Sequence, residues 1–454
     1  MASAQAFDRA QLVAWGIETQ DEIKASLGLP RSHLYAETAN LSGGQSGGAG
    51  GAAFVWPLST EFRVLNDLAR VDPDYYAPRL RAFSNQLVDQ YWSPLGGYDC
   101  CRGVGDRYYD DNAHLAVALM EAHRITGEAI YLDRAADVYD FLLEGAVPGH
   151  PGGSYWRVGD NSFIDSAAVL QGARAGFMLY EETGDVAYRE DAEQRLAWAE
   201  NTTQLSEGTF YEKLFLTGPK AGTVGDYPLV NFAGFGISAN LAAYDATGDL
   251  SRLTEAQRIA NASVNRYFSG ANGSLNDEGY WAFELADALV DLYEHDDNSR
   301  WIDAVGDAME WLHANKQDPN GRYGKFWGRE GAQVGALSEW HLNDMASVAR
   351  AFLHTGLSSP LSLAGDFNDD GVVDAADYTV WRDNVRVNVV LPNDRGAGLP
   401  INSRHRNLWQ QNYGATLGGP AQTVPEPSAA TLAMATWAIA VASRHRLAWP
   451  APRG

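Results

Sequence analysis

A short turn motif recurs along this chain and limits the folds that the chain can adopt. The tripeptides at 126–128, 183–185 and 247–249 read Thr-Gly followed by Glu or Asp, and they stand 57 and 64 residues apart. Glycine fits just past a helix end, where the backbone turns left-handed, and an acidic residue suits the first turn of the next helix. The repeated unit is therefore a helical hairpin, which predicts a solenoid or a closed ring of hairpins.

Two kinds of helical segment alternate around these turns. Segments rich in small and apolar residues predict an inner ring of helices near 59–70, 109–125, 163–182, 230–246, 281–296 and 341–355. More charged, amphipathic segments are typical of an outer ring and lie near 7–28, 74–92, 128–144, 187–204, 250–268 and 299–315. Six pairs favour an all-α fold, an (α/α)6 barrel over residues 1–357, with an open helical array as the alternative. The glycine-rich stretch 40–53 is interpreted as a flexible spacer.

Composition narrows the choice of partners. The chain carries 58 acidic and 34 basic residues, a formal net charge of −24, which disfavours nucleic acid as a partner. The 14 Trp and 21 Tyr residues suit stacking on sugar rings, although they can equally fill gaps between helices. The two cysteines, Cys100 and Cys101, are adjacent, so there is no disulfide framework and two reduced thiols are favoured over a vicinal disulfide.

A calcium-binding loop is predicted at 366–377, within a small module at 362–416. Gly371 occupies the position where such a loop must turn sharply, and oxygen ligands have the spacing of an EF-hand loop. These ligands are Asp366, Asn368, Asp370, the carbonyl of Val372, Asp374 and Asp377. An acidic turn without Ca²⁺ is the alternative interpretation.

The segment 378–384, which follows the loop, is weakly repeated at 406–412, with a Trp at the same place in each copy. A calcium loop with a duplicated Trp-bearing helix resembles a dockerin module. The resemblance implies a structural Ca²⁺, a cohesin-like protein partner and attachment to a polysaccharide-degrading enzyme. The second loop, around Asn393 and Asp394, lacks the full set of ligands, so a second Ca²⁺ is not expected.

The C-terminal segment 424–446 has the layout of a sorting signal. Val-Pro-Glu-Pro-Ser at 424–428 precedes an apolar run at 429–442 and a basic Arg-His-Arg at 444–446. This order resembles the PEP-CTERM signal of bacterial envelope proteins. It implies export to the cell envelope or the medium and a transient membrane association, although the first 30 residues contain no recognisable signal peptide.

Candidate catalytic residues open the second inner helix. Asp110 and Asp111 are adjacent, so their charges repel and the pKa of one carboxyl group must rise. One ionised carboxylate and one protonated acid are what glycosidic bond cleavage requires, and neighbours in a first turn can place them roughly 5 Å apart, as in retaining enzymes. The alternative is plain capping of the helix.

The residues around this pair carry a resemblance to glycoside hydrolase family 76. Tyr-Tyr-Asp-Asp-Asn-Ala at 108–113, the following helix to 132 and Gly-Gly-x-x-Trp at 152–156 are similar to the family's motifs, and the order is similar from about 54 to 356. The resemblance implies an (α/α)6 barrel and an endo-α-1,6-mannanase with a retaining mechanism. It also implies that Asp110 is the nucleophile and Asp111 the general acid/base.

Three segments depart from the family pattern. His114 stands where the family usually has Trp, and the segment 161–166 differs from the family's Lys-Asn-Ala-x-x-Asn. The segment 229–234 keeps only Asn231 and Gly234 of the family's pattern. Because these segments line the family's substrate cleft, mannan as the substrate is less secure than glycoside hydrolysis.

Substrate contacts are predicted around the acidic pair. Tyr155 and Trp156 suit a stacking platform, and Asp165 starts the next inner helix, where helix capping is favoured over a contact to a sugar hydroxyl. The full set of predicted substrate-binding residues is Tyr109, Asn112, His114, Tyr155, Trp156, Asp165 and Asn231. Glu339 and Asp344 near the last inner helix are rival acids, for which capping is favoured.

Two other functions remain open from the sequence. Related α/α barrels include sugar epimerases and unsaturated-uronyl hydrolases; an epimerase would require a histidine pair, and His114 with His341 is the candidate. A non-catalytic carbohydrate-binding or scaffold protein is the other. No Ser-His-Asp arrangement, Walker loop or dinucleotide fingerprint occurs, so phosphoryl and hydride transfer find no support, and no cofactor is expected for catalysis.

Overall fold

The computed structural model divides the chain into two units, Met1–Pro360 and Leu361–Gly454. It describes residues 7–225, 227–328, 335–358, 365–368, 372–389, 391–394, 397 and 400–414. The sorting signal predicted at 424–446 lies outside the described residues. Among the helices of the described ranges, none is long and apolar enough to cross a membrane.

Twelve helices of the first unit form two concentric rings. The inner helices are α2 (Val55–Val71), α4 (Tyr109–Thr126), α6 (Ser166–Thr183), α8 (Val230–Thr247), α10 (Gly279–Asp296) and α12 (Leu342–Leu357). The outer helices are α1 (Arg9–Ser26), α3 (Pro73–Tyr91), α5 (Ala129–Leu143), α7 (Val186–Thr202), α9 (Leu250–Tyr267) and α11 (Ser299–Lys316). Each inner helix packs against the next, and α12 closes the ring on α2. The predicted (α/α)6 barrel is confirmed, with the N-terminal helix α1 packed on α12.

The recurring turns work as their sequence predicts. Gly127, Gly184 and Gly248 have φ values of +69°, +73° and +70°, and they end α4, α6 and α8. In each turn the Thr hydroxyl accepts a hydrogen bond of 3.2 Å from the backbone N–H of the acidic residue two positions on. The turn is thus satisfied locally, and inner and outer helices join with a short connection.

Two small sheets were not predicted. One contains β1 (Thr38–Asn40), β2 (Gln45–Ser46) and β7 (Glu339–His341) in the order β2-β1-β7. The other contains β3 (Ala146–Val147), β4 (His150–Arg157), β5 (Asp160–Asp165) and β6 (Lys213–Phe215). All strand pairs are antiparallel.

These sheets correct two expectations. The stretch 40–53 is not a simple spacer, because its first part pairs in a sheet and Ala49–Gly51 forms a 3-10 turn. Residues 163–165 belong to β5, so α6 begins at Ser166 rather than near 163. Five of these strands have only two or three residues, β4 contains two glycines, and β5 is mostly polar, so none shows the apolar and polar alternation that identifies a strand in sequence.

A network of buried ion pairs fills the centre of the inner ring. Arg63 on α2 lies 2.8 Å from a carboxylate oxygen of Glu284 and 2.9 Å from one of Asp287, both on α10. Arg350 on α12 lies 2.7 Å from Asp287 and 3.0 Å from Asp67. The inner helices are therefore joined by charge as well as by their apolar faces, and the buried guanidinium groups each have carboxylate partners.

Two short helices occur in the described part of the second unit, α13 (Ala375–Asn384) and α14 (Ser403–Asn412). Its core consists of Phe367, Leu391 and Ile401, with Val380, Trp381, Leu408 and Trp409 packed against it. Each helix begins with a reciprocal cap, formed by Asp374 with Asp377 and by Asn402 with His405. The weak repeat in the sequence thus corresponds to two similar helix starts.

Replacing Arg63 by Met tests the central network. We expect a loss of about 3–5 kcal/mol in the free energy of unfolding, because the variant leaves the buried carboxylate of Glu284 without its guanidinium partner. Burial raises the pKa of Glu284, but Arg63 and then His114 oppose this rise, and together they lower the pKa to about 2. Without Arg63, burial raises that pKa instead, so the loss should be greater at pH 8, where the carboxyl groups must ionise, than at pH 5.

Urea unfolding at both pH values measures this loss. The control is Arg189→Met, which removes a half-exposed pair with Glu193 at 3.5 Å and should cost less than about 1 kcal/mol. Equal losses in the two variants would contradict the structural role of Arg63.

Candidate active site

The N-terminal ends of the inner helices meet in a cavity of about 850 Å³. Strands β4, β5 and β6 contribute one side of it, with Trp156, Phe163 and Lys213. Aromatic and polar residues at the starts of α2, α8, α10 and α12 contribute the rest, among them Trp56, Asn231, Phe232, Tyr280, Trp281, Asn343 and Asp344. Aromatic faces with a few convergent polar groups are typical of a binding site for a small molecule or a sugar.

Asp110 and Asp111 both line this cavity, at the first turn of α4. One oxygen of Asp110 accepts a hydrogen bond of 2.9 Å from the backbone N–H of Asp111, and the other accepts one of 3.0 Å from the indole N–H of Trp156. The Asp111 carboxyl group accepts no hydrogen bond from any residue that the structure describes. The two neighbouring acids therefore lie in unlike environments.

This difference separates their proton affinities. Burial raises the pKa of Asp110, while His114 and the donors from Asp111 and Trp156 oppose the rise. Burial raises the pKa of Asp111 well above its usual range, and the charges of Asp110 and Asp165 add to the rise. Since only Asp110 has groups that stabilise its charged form, the pair favours an ionised Asp110 beside a protonated Asp111.

His114 lies one helical turn after Asp110 and lines the same cavity. Its Nδ1 atom is 3.1 Å from the amide nitrogen of Gln171 and 3.4 Å from a carboxylate oxygen of Glu284. Its ring also meets the edge of Phe235 at 5.3 Å. Through Glu284, the histidine is connected to Arg63 and to the central ion network.

The structure brings Trp156, Asp165 and Asn231 to the cavity, as the sequence predicts. Trp156 stacks on Phe163 with ring centroids 5.7 Å apart. Asp165 caps α6, accepting a hydrogen bond of 2.8 Å from the backbone N–H of Ala168, and its pKa is raised by burial and then by Asp110. The side-chain oxygen of Asn231 is buried without a hydrogen-bond partner among the described residues.

Three of the predicted substrate contacts do not line the cavity. Tyr109 stacks on Phe141 at 4.8 Å because the first helical turn directs it toward α5, and its neighbour Tyr108 lines the cavity instead. Asn112 is fully buried, where its side chain bonds backbone groups of Tyr98 and Tyr108.

Tyr155 is the third of these contacts. It packs against the hydrophobic core, since neighbouring residues of a strand face opposite sides and Trp156 takes the cavity side.

Cys100 and Cys101 are reduced, with their sulfur atoms 3.3 Å apart, and Cys100 lines the cavity. Of the rival acids, Glu339 has about half of its side chain exposed on β7, whereas Asp344 lines the cavity. The sequence favoured helix capping for Asp344, but no cap of α12 by a side chain is present.

The predicted calcium loop is described only in part, because Asp370 and Gly371 lie outside the described residues. The two oxygens of Asp377 accept hydrogen bonds from the backbone N–H groups of Asn368, at 3.1 Å, and Asp374, at 2.7 Å. Burial raises the pKa of Asp377, and the nearby charge of Asp366 adds to the rise. Among the described residues, no group of three His, Cys, Asp or Glu side chains is placed to hold a metal ion, and the calcium site stays a prediction.

Comparison with known proteins identifies the family. The model of glycosyl hydrolase family 76 matches residues 32–280, more than half of the chain, and the chain belongs to this family. A comparison with curated protein sequences gave no significant match.

Solved structures share the fold. An α-mannanase of this family from Bacteroides thetaiotaomicron is 24% identical, with a TM-score of 0.69 over 76% of this chain and 95% of that chain. An α-1,6-mannanase from Salegentibacter is 17% identical, with a TM-score of 0.65 over 77% and 100%. A sugar epimerase from a ruminal bacterium is 11% identical, with a TM-score of 0.58 over 76% and 98%.

The hydrogen bond from Trp156 to Asp110 can be tested directly. In Trp156→Phe we expect the pKa of Asp110 to rise, because the charged carboxylate loses one of its donors. Carbon-13 NMR titration of Asp carboxyl groups, assigned with Asp110→Asn, measures the shift. Phe163→Leu is the control, since it removes the stacking partner of Trp156 but no donor. An unchanged titration in Trp156→Phe would contradict the role given to the indole.

Proposed function

We propose that this protein is a retaining glycoside hydrolase that cleaves α-mannosidic linkages, with α-1,6-mannan as the polysaccharide substrate. The unlike environments of Asp110 and Asp111 carry this proposal. Membership of glycosyl hydrolase family 76 supports glycoside hydrolysis of a mannan. The named activities of the mannanases with the same fold support the α-1,6 linkage.

The reaction divides between the two acids. The ionised Asp110 attacks the anomeric carbon, while the protonated Asp111 donates its proton to the departing glycosidic oxygen. Asp111 then takes a proton from water, which displaces Asp110 from the sugar and regenerates both groups. The indole of Trp156 and the backbone N–H of Asp111 each donate a hydrogen bond to one oxygen of Asp110, and together they hold the attacking carboxylate in place.

The cavity suits a chain of sugars. It extends from the strands beside Asp110 to the starts of α10 and α12, with aromatic side chains along it, so more than one ring has room. For the Salegentibacter enzyme, an inactive variant with two consecutive Asp→Asn substitutions is described in complex with α-1,6-mannotriose. For this chain we propose that cleavage occurs within the polymer rather than at its ends.

Single substitutions distinguish the two acids. Asp110→Asn should lower the release of reducing ends from α-1,6-mannan by at least roughly a thousandfold, because no covalent intermediate can form. Asp111→Asn should also be slow on mannan, yet it should retain the first step on an aryl mannoside whose leaving group needs no proton. The release of aryl alcohol as a burst, followed by slow turnover, measures that difference.

Asp160→Asn provides the matched control. Asp160 lies on β5, beside the cavity strands, but it does not line the cavity. Its carboxylate accepts hydrogen bonds from Ser162, so turnover should be unchanged. Wild-type release of reducing ends by Asp110→Asn would contradict the assignment, and release from another glycan would keep the acids but change the substrate.

A sugar epimerase is a second candidate, because His114 and His341 both line the cavity. An epimerase would exchange a proton at a sugar carbon and would shorten no chain. Incubation with free mannose in deuterated water, followed by NMR, separates the two activities. Deuterium incorporation without any release of reducing ends from mannan would favour the epimerase.

We also propose that the second unit binds one structural Ca²⁺ through Asp366, Asn368, Asp370, Val372, Asp374 and Asp377. A cohesin-like protein partner and export guided by the C-terminal tail belong to the same proposal. The second helix start supports a single ion, because His405 takes the place that corresponds to Asp377 and lies 3.4 Å from Asp394.

Calorimetric titration of the full chain with Ca²⁺ tests this stoichiometry. We expect one equivalent to bind and binding to be lost in Asp377→Ala, because Asp377 supplies a carboxylate that the hard cation needs. His405→Ala is the control and should leave one equivalent bound. Retained binding in Asp377→Ala, or two equivalents in the wild type, would contradict the proposed site.

A further inference from the structure

Asp344 is a buried acid in the cavity to which the two-carboxylate reaction gives no role. Its side chain is only 5% exposed, and it lines the cavity from the first turn of α12. It forms no hydrogen bond or ion pair with any residue in the described ranges. A polar group that is buried without a partner costs free energy, and such a group facing a cavity is available to a ligand.

The surroundings of Asp344 favour its neutral form. Burial raises the pKa of this acid to about 7; the ammonium group of Lys325 opposes the rise, while Glu278 and Glu37 add to it. Lys325 is itself engaged with Glu278 at 2.9 Å, so its charge is largely compensated. Near neutral pH the carboxyl group therefore carries a proton much of the time, and it can both donate and accept a hydrogen bond.

The preceding residue offers complementary chemistry. Asn343 is 6% exposed, and its side-chain oxygen accepts a hydrogen bond of 3.0 Å from the hydroxyl of Thr60. Its amide N–H₂ group forms no hydrogen bond with the part of the chain that the structure describes, and the residue lines the cavity. The amide of Asn343 thus offers a hydrogen-bond donor, and the neutral carboxyl group of Asp344 offers both a donor and an acceptor. Two adjacent hydroxyl groups of a sugar can pair with such a set.

An apolar wall stands beside this polar pair. Trp56, at the start of α2, meets Tyr280, at the start of α10, edge to face at 5.3 Å, and both line the cavity. Helices α10, α12 and α2 are consecutive in the inner ring, whereas Asp110 and Asp111 belong to the next helix, α4. Polar groups against aromatic faces, set apart from the reacting acids, are typical of a sugar-binding subsite.

We propose that Asp344, as a neutral carboxylic acid, binds the hydroxyl groups of a mannose unit together with Asn343 and positions the chain for cleavage at Asp110 and Asp111. This inference rests on the proposed function, because it names a mannose polymer as the ligand. It gives Asp344 a binding role and no role in proton transfer to the glycosidic oxygen.

Binding measured without turnover tests the inference. In an Asp110→Asn background, calorimetry with α-1,6-mannotriose compares the parent with added Asp344→Asn and Asp344→Ala. At pH 6 we expect Asp344→Asn to bind within about threefold of the parent, because an amide resembles the neutral acid. Asp344→Ala should bind about tenfold more weakly. Between pH 6 and pH 8 the affinity of the parent should fall, and that of Asp344→Asn should stay constant.

Each other outcome has a definite meaning. Equal affinities of the parent and Asp344→Ala for mannotriose would overturn this inference but not the proposed function. An affinity of the parent that does not change with pH would have the same meaning. If the parent binds no mannotriose, the proposed substrate fails and the inference fails with it. In the protein with Asp110 and Asp111 intact, Asp344→Asn should keep kcat within about threefold; a loss of kcat comparable to that in Asp111→Asn would make Asp344 a proton donor and overturn the binding role.

Stability gives a readout that needs no ligand. Because the folded protein holds the proton of Asp344 up to about pH 7, stability due to this group falls as the pH rises from about 4 through 7. Asp344→Asn removes that loss and should raise the Tm relative to wild type at pH 8 but not at pH 4. Asp185→Asn, at an exposed helix cap where the amide can still accept the capping hydrogen bond, is the control and should shift neither Tm nor affinity. A Tm difference that is the same at both pH values would overturn the neutral state of Asp344.

Discussion

The contact of Arg63 with three buried carboxylates is the interaction on which the rest of the barrel depends. One guanidinium group on α2 reaches Glu121 on α4 and both Glu284 and Asp287 on α10, which are opposite each other in the ring. A ring of six helices needs its opposite sides to be held at a fixed distance, and small apolar residues alone cannot span the centre. The charges do so, and they require one another to remain ionised in a buried setting.

The same network extends into the functional site. Glu284 uses one oxygen for Arg63, and its other oxygen lies 3.4 Å from Nδ1 of His114, which lines the cavity one turn after Asp110 on α4. Since Arg63, more than His114, keeps Glu284 ionised, a negative charge is fixed behind the histidine. His114 in turn helps to hold down the pKa of Asp110, which burial raises. The stability of the ring and the ionisation of Asp110 therefore depend on one chain of contacts.

The sequence predicted the helices well and the cavity unevenly, for physical reasons. The Thr-Gly-acid turns are local, so each reveals a helix end by its own chemistry, and the resemblance carried by residues 108–113 located the acidic pair. Which side chain of a neighbouring pair faces the cavity depends instead on the backbone direction. As a result, Tyr108 lines the cavity instead of the predicted Tyr109, and Trp156 lines it while its neighbour Tyr155 does not. Asp344 was recognised only as a possible acid, because burial and lack of a partner are tertiary properties.

The surroundings of His114 explain how a histidine can stand where a Trp is expected. A Trp would fill the space by apolar contact, whereas the histidine needs polar partners, and Gln171 and Glu284 stand at 3.1 and 3.4 Å. The residue at 114 and its polar partners depend on one another, because burying an imidazole or a carboxylate without a partner costs free energy. The polar centre thus works as one unit. His114 thus brings a polar group with its own partners into a cavity whose walls are otherwise rich in aromatic side chains.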